Sequence, residues 1–496
     1  MKRICVIGAG FGGLALAIRL QAAGFATTLI EARDAPGGCA HTVARDGFSF
    51  DTGPGTIIDR AGLEELWALA GRDMGQDVTL APVGPFCRLH WSDGTSFDVS
   101  GDEAQLRAEV ARLAPGDLAG YEDFSRYCVE ANTEARLRIG RIPSRDLADM
   151  VRVVPALLRH QAWRSLYGKV ASLVKSDKLR ETLSYRALTL GGNPQSVTAL
   201  CATLYQLEKD GGVWWPMGGM TALVSAMADL FERQGGRLLL GEPVARIHTI
   251  GNRVAEVECV SGWREHFDAV VSNADLMHTY RQLLGHTQRG ARMAERLTHQ
   301  PWSPGVFSVH FALEGTWPGI PHAMMLFGAR YRGLLDDIFE HGILPRDMFI
   351  HLTHPSVTDP ALAPPGKSVF SAVVPVAHLG KLPIDWSVVG PLLEQRVLDE
   401  VGMRFIPDIH DRVITRFHRT PRDFALELNA YRGSAYSLEP SRWHSALGRA
   451  HNRDGAIPNL YLVGAGTPTG AGVAAVVAGA RQTAALITAD LLDAPQ

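Results

Sequence analysis

The chain opens on Gly8-Ala9-Gly10-Phe11-Gly12-Gly13, set between an apolar run, Arg3 to Ile7, and an alanine- and leucine-rich stretch, Leu14 to Ala23. A second β-type run, Thr27 to Glu31, follows directly. In a strand–turn–helix–strand unit of this kind the glycines of G-x-G-x-x-G have separate tasks. Gly8 permits the tight turn, Gly10 lets backbone approach a pyrophosphate, and Gly13 allows helix and strand to pack closely. The N-terminus of the helix expected over Leu14 to Ala23 then turns free N–H groups and a partial positive charge toward phosphates. Glu31, about 20 residues on, stands where an acid hydrogen-bonds both hydroxyls of a ribose. Gly24 sits where the helix needs its C-cap. A glycine hexad alone recurs by chance, but strand, helix, strand and terminal acid in this order predict a bound dinucleotide.

Two further features separate a flavin from a nicotinamide. Arg33-Asp34-Ala35-Pro36-Gly37-Gly38 places a second glycine pair beyond the ribose acid, as in the flavoprotein amine-oxidase superfamily. Near the other end, YLVGAGTPTGAG (Tyr461 to Gly472) supplies another glycine-rich turn, with Gly464, Gly466 and Gly472, before a helix expected over Val473 to Leu492. A flavin ring is held far from the adenosine end, so it needs such a partner. A second helix N-terminus beside the ring would also stabilise the anionic reduced flavin.

With 496 residues the chain is long for one domain, and 46% hydrophobic against 20% charged residues suits large buried cores. The net charge of −3 gives no global pull toward nucleic acid, and no nucleic-acid partner is expected. Six scattered cysteines without C-x-x-C or a His–Cys cluster argue against a disulfide framework or a metal site and fit a reducing cytosol. The uncharged stretch Gly455 to Ala480 is long enough to cross a bilayer. Its glycines, with Pro458 and Pro468, cut it instead into strand, turn and helix. Met1-Lys2-Arg3 and the apolar residues after it imitate a signal peptide, but the glycines break that stretch at once and a strand is expected.

The pattern predicts an α/β protein with a discontinuous Rossmann-type FAD-binding domain of the glutathione-reductase or amine-oxidase kind, a mixed-sheet substrate domain and a helical insert. The expected divisions are 1–80, 206–285 and 431–496 for the FAD-binding domain, 81–105 and 286–430 for the substrate domain, and 106–205 for the insert. Leu106 to Leu204 is helical in pattern, and Met150 to Tyr167 reads as one amphipathic helix. Strand signals lie in Arg237 to Ile250, Val254 to Val260, Phe307 to Leu313 and Leu460 to Val463.

Beyond the two glycine turns, the text between them is distinctive: GFSFDTGP around Asp51, QAWRSLYGKVAS from Gln161, GGNP at Gly191, SNAD at Ser272, HTYR at His278 and LNAYRGSAYS from Leu428. Over nearly its whole length the sequence resembles the bacterial phytoene desaturase family. The resemblance implies FAD as the only redox cofactor and a carotene as substrate. It also implies quinone or oxygen as electron acceptor, and work at a membrane surface, attached to the inner face of the cell membrane from the cytoplasm. It carries the cofactor positions to Gly8, Gly10, Gly12, Gly13, Glu31, Ala32, Arg33, Gly38, Gly53, Pro54, Val244, Gly464, Gly466, Gly472 and Val473. It carries acid–base positions to Asp149, Arg152 and Lys169. Asp149 and Arg152 are also spaced i, i+3, as in an ordinary surface ion pair on a helix.

Four places depart from the family pattern: Cys39 and Met217 replace arginines, Gly55 replaces threonine, and Thr467 to Ala475 replaces a stretch carrying His-Pro and a later proline. Losing an arginine removes a bidentate partner for phosphate or carbonyl oxygen. Desaturation takes hydride to flavin N5 and a proton from the adjacent carbon, which calls for a dry apolar channel. Trp163, Tyr167, Trp214, Trp215, Phe307 and Phe311 are its candidate walls, each equally a candidate core residue. Two other readings share the scaffold: a flavin oxidase of amines or of a porphyrinogen, and a non-catalytic prenyl-binding carrier.

Overall fold

The computed structural model describes residues 1–134, 154–441 and 450–492. Its centre is a five-stranded parallel sheet, in spatial order Leu460–Leu462, Ala269–Ser272, Arg3–Ile7, Ala26–Ile30 and Arg237–Leu239. Successive side chains of a strand face opposite ways, and both faces here are apolar. Ile4 and Val6 enter a core shared with the helices Phe11–Ala22, Met220–Arg233 and Val473–Leu491. Cys5 and Ile7 enter a second core, under the antiparallel sheet Val244–Ile250, Arg253–Cys259 and Arg264–His266. Each fully buried aliphatic contributes about 1.5–3 kcal/mol, so this short-stranded sheet is held mainly by its coverings.

The first helix runs Phe11–Ala22 and every residue to Leu20 is buried, because the sheet lies below it and Val473–Leu491 above. It ends where Gly24 takes φ +86°, the left-handed conformation expected of a C-cap glycine.

A seven-stranded mixed sheet forms the second layer system, in the order Val413–Arg419, Gly305–Glu314, Lys367–Val376, Ile350–Thr353, Ala323–Phe327, Cys87–Trp91 and Ser96–Val99. Alternation along Gly305–Glu314 assigns its faces. Phe307, Val309, Phe311 and Leu313 pack with the helix Trp386–Arg404, whereas Val306, Ser308 and His310 face the opposite way, into a cavity. Helices Glu103–Leu113, Leu118–Glu134, Leu166–Ala171 and Asp177–Ser184 pack in a further core, and Thr203–Gly211 with residues 186–190, 197–198 and 200–201 lines the far end of that cavity.

Two sequence expectations are corrected. Arg237 to Ile250 is not one strand. Gly241 at φ +68° and Pro243 break it, and its halves join different sheets. Met150 to Tyr167 is not one helix either: among the described residues, helix 154–159 stops at His160 and Gln161 has φ +51°. Ser165 then bridges to Thr198, and its hydroxyl accepts from the Gly168 amide to cap the next helix.

Candidate functional site

One cavity of about 1170 Å³ runs from the parallel sheet to the helical cover, and both glycine turns lie on its wall. The amino-terminal turn contributes Gly8, Gly10, Phe11 and Gly12, and the carboxy-terminal one contributes Gly464, Ala465, Gly466 and Pro468 to Val476. Gly13 lies behind the wall. A Cβ there would stand 2.0 Å from Gly8 O, so helix and turn are in backbone contact. A Cβ on Gly12 would stand 3.3 Å from Gly464 Cα and 2.7 Å from Asn273 Oδ1. Asn273, at the end of the strand Ala269–Ser272, fills the angle between the turns and donates from Nδ2 to Gly8 O at 3.2 Å.

Neither helix aimed at the cavity has a side-chain cap. Gly10 and Gly472 hold the N-cap positions of Phe11–Ala22 and Val473–Leu491, leaving first-turn amides free for an anion. The hydroxyls of Ser434, Ser437 and Thr469 are buried, lie on the wall and have no hydrogen-bond partner. Glycine cradle, free helix amides and uncommitted hydroxyls fit a dinucleotide carrying a polar ring system.

Glu31 is 8% exposed and held in place: its carboxylate accepts from Ala9 N (2.7 Å) and Arg33 N (3.1 Å). The break after Leu239 serves the same corner. Gly241 N donates to Arg33 O and Glu242 N to Glu31 O, which brings Glu242, Pro243 and Val244 to the wall. Ala32, Arg33, Gly38, Gly53 and Pro54 also lie on it. Cys39 opens into the cavity as well. Burial pushes its thiol up, opposed by the charges of Arg33 and Arg419.

The opposite wall carries Leu188, Leu190, Val197, Leu200, Leu204 and Phe349, with a polar band from the seven-stranded sheet. In that band His310 Nε2 is 3.0 Å from Ser308 Oγ and its Nδ1 is 2.8 Å from Ser371 Oγ, while burial drives the imidazole down to about 3. His351 lies across the intervening strand, level with Val373. Arg186 and Glu208 form an enclosed ion pair at 2.8 Å on the same wall.

Of the six candidate aromatic walls, Trp163 and Trp215 line the cavity. Phe307 and Phe311 stack on Trp386 and Phe370 on the other face of the sheet. Tyr167 packs under the Arg332 guanidinium and Trp214 under that of Arg60. Asp149 and Arg152 lie outside the described residues. Lys169 is not on the cavity wall: its Nζ stands 4.5 Å from the Tyr127 ring centroid, and burial lowers its pKa. Met217 packs against the core that contains the first helix and is not on the cavity wall. Sequence reasoning missed Asn273, Arg186, Glu208 and His351 as wall residues. The SNAD text marked the first; the others come from separate elements joined only by tertiary packing.

Residues 11–488 match the family described as flavin containing amine oxidoreductase. The chain is 46% identical over 493 residues to a lycopene-forming phytoene desaturase from a Paracoccus species, covering 99% of this chain and 98% of that one. It is 42% identical to the lycopene-forming phytoene desaturase of Pantoea ananas (99% and 100% covered) and 38% identical to the neurosporene-forming one of Cereibacter sphaeroides (98% and 94%). Among solved structures, cyclohexylamine oxidase from Brevibacterium oxydans superposes with TM-score 0.62 at 18% identity, covering 99% of this chain and 100% of that one, and so shares the fold. No described helix is long and apolar enough to cross a membrane. The chain is an FAD-dependent oxidoreductase and belongs to the bacterial phytoene desaturase family of the flavin-containing amine oxidoreductases.

Proposed function

We propose that this enzyme desaturates a long acyclic carotene, phytoene or a later intermediate, and returns the electrons to quinone or oxygen. The observation that carries this is one continuous cavity: glycine-lined and polar at one end, leucine- and valine-lined at the other. The close relatives named for phytoene desaturation support the substrate class.

FAD, when bound, supplies the hydride acceptor. The protein's part is to hold and orient it. Gly8, Gly10 and Gly12 with the free amides of the first helix take the pyrophosphate, while Gly13 fixes the turn behind them. Glu31 would take the ribose, with Ala32, Arg33, Gly38 and Val244 on the adenosine side, and Gly53, Pro54, Gly464, Gly466, Gly472 and Val473 would hold the ring side. The apolar wall aligns one allylic C–H with the ring and excludes water.

Each of the six carboxylates on the described wall is engaged: Glu31 and Asp275 by backbone amides, Asp51 by Met220 N, Glu208 by Arg186, Glu242 by Ser261 and Glu427 by Arg419. None of them stands without a partner, which supports an uncharged substrate over an amine. Val154, Leu158 and Trp163 are each 42–58% exposed and also line the cavity. An apolar rim on an open cavity suits entry from a membrane surface, at the cytoplasmic face of the cell membrane. Asp149 and Arg152, which lie outside the described residues, and Lys169, which is off the wall, stay proposed as substrate-site acid–base groups on the family resemblance alone.

The test is anaerobic mixing of the flavin-loaded protein with carotene-bearing liposomes. The yellow absorbance should bleach with phytoene, ζ-carotene or neurosporene, and air or quinone should restore it. Absence of bleaching with all three, or hydrogen peroxide release with amines, would overturn the assignment.

A further inference from the structure

The described structure leaves one question of the reaction open: where the proton goes when the neighbouring carbon loses hydride. The cavity wall answers largely by elimination. Its carboxylates are already engaged. Tyr436 has a phenol that burial pushes up to about 12, so it holds its own proton.

Five histidines are forced to about 3 or 4 by burial: His310, His322, His351, His354 and His378. Four of them use their rings structurally. His310 bonds Ser308 and Ser371, His322 bonds Thr358, His354 faces Ile320 O, and His378 receives Gly380 N. The ring of His351 has no such partner among the described residues, and it lies on the wall. It stands beside the flavin-side loop: a Cβ on Gly55 would be 3.9 Å from His351 Cε1. His278 is the other wall histidine with a ring not so engaged; it ends the short helix Leu276–His278 after the parallel-sheet strand Ala269–Ser272 and is the rival base.

We propose that His351 is the base that takes the proton in desaturation, with the Arg186–Glu208 pair behind it as its fixed electrostatic setting. This rests on the carotene reading above. One carbon gives up hydride, with both electrons of its C–H bond, to flavin N5. The C–H bond of the adjacent carbon then breaks, its electron pair becomes the second bond of the new alkene, and the proton bonds to the free ring nitrogen of His351. The imidazolium releases that proton to water as product leaves.

A weak base suffices, because a proton next to a carbon losing hydride is far more acidic than imidazolium. The surroundings also suit the task. Burial first, then Arg186 and His322, oppose a resident positive charge on His351, so the ring waits neutral, while Glu208 pairs with that Arg186 guanidinium. Gly55 contributes here as well: it stands where the family usually has threonine, at a position whose Cβ would be 3.9 Å from His351 Cε1.

The test uses flavin-loaded His351→Gln and His351→Asn, which keep a polar side chain but cannot take a proton near neutral pH. Anaerobic bleaching by carotene should slow by about a hundredfold or more, the usual span of a lost general base. Flavin content and carotene binding, read by fluorescence quenching, should stay within about twofold, since neither uses the ring's basicity. A second readout needs no turnover. In wild-type holoenzyme labelled at the imidazole carbons, the resonance that the Gln variant lacks should keep the neutral-ring position at pH 7. Bleaching slowed less than about threefold would overturn the proposal, as would an imidazolium signal at pH 7 or an equal loss of carotene binding. Loss in His278→Gln with a normal His351→Gln would move the base to the other wall. If wild type itself never bleaches with a carotene, it is the substrate reading that has failed.

Discussion

The guanidinium of Arg186 lies 2.8 Å from the carboxylate of Glu208, and both are enclosed between the helical cover and the apolar cavity wall. Burial raises the carboxyl and the arginine opposes it, while Arg186 Nε is left without a partner. Two ions taken from water recover the cost only through each other. Arg186→Met alone should therefore destabilise the fold by about 3–5 kcal/mol, and Arg186→Met with Glu208→Leu by much less. Urea denaturation of the single and double variants measures the difference. Equal destabilisation would mean the pair is not coupled.

Gly13→Ala puts a methyl group 2.0 Å from Gly8 O, an approach that only backbone movement relieves. Overpacking of this kind costs about 1–3 kcal/mol. The shift also opens the cradle, so the purified variant should be paler. The ratio of flavin to protein absorbance reads it, and full flavin content in Gly13→Ala would show that the turn has slack.

Glu31→Ala removes the acceptor that holds Ala9 N and Arg33 N, and with it the ribose contact. A lost charged hydrogen bond is worth about 1.5–3 kcal/mol, which is roughly ten- to a hundredfold in flavin affinity. Dialysis against a flavin-free buffer, followed by absorbance, checks this directly.

Acid stability follows from the buried imidazoles. His310, His322, His351, His354 and His378 have folded pKa values of about 3 or 4, below the ordinary value near 6.5. The unfolded chain binds more protons as pH falls through about 6.5, so stability drops from there down to the folded values, by about 1.4 kcal/mol per pH unit for each histidine. Asp275 and Glu439, raised by burial to about 6 and 7, act oppositely: they stabilise at low pH and lose that contribution as pH rises through their folded values. Five against two, the melting temperature should be nearly level from pH 7 to 8 and fall steeply between about pH 6 and 4. A flat profile would mean these rings are solvated.

The opening unit was legible because its signals are local. Strand, glycine turn, helix and acid follow one another within 31 residues, and each appears within a residue or a few of its expected place. The parity of Gly305–Glu314 was not legible. Phe307 and Phe311 are as aromatic as any channel wall, and only the helix Trp386–Arg404, which begins 75 residues after Phe311, decides that their face is core. The same holds for His351 and Arg186, whose strand and turn meet only after the long connections close. Lys169 shows the converse. Its motif is recognisable, but the turn at His160–Ser165 sets it over Tyr127 and off the wall.

The strand Leu460–Leu462 hydrogen-bonds beside Ala269–Ser272, and its turn leans on Gly12. During synthesis, then, the opening unit waits through almost the entire chain before its partner emerges, and closing so long a loop adds only modestly to the entropy cost. Completion of the cofactor groove is thereby made a late event, after residues 460–476 have been synthesised. A chain truncated before those last turns would expose an unpaired edge and an open groove, and be a substrate for proteases before it could ever transfer an electron.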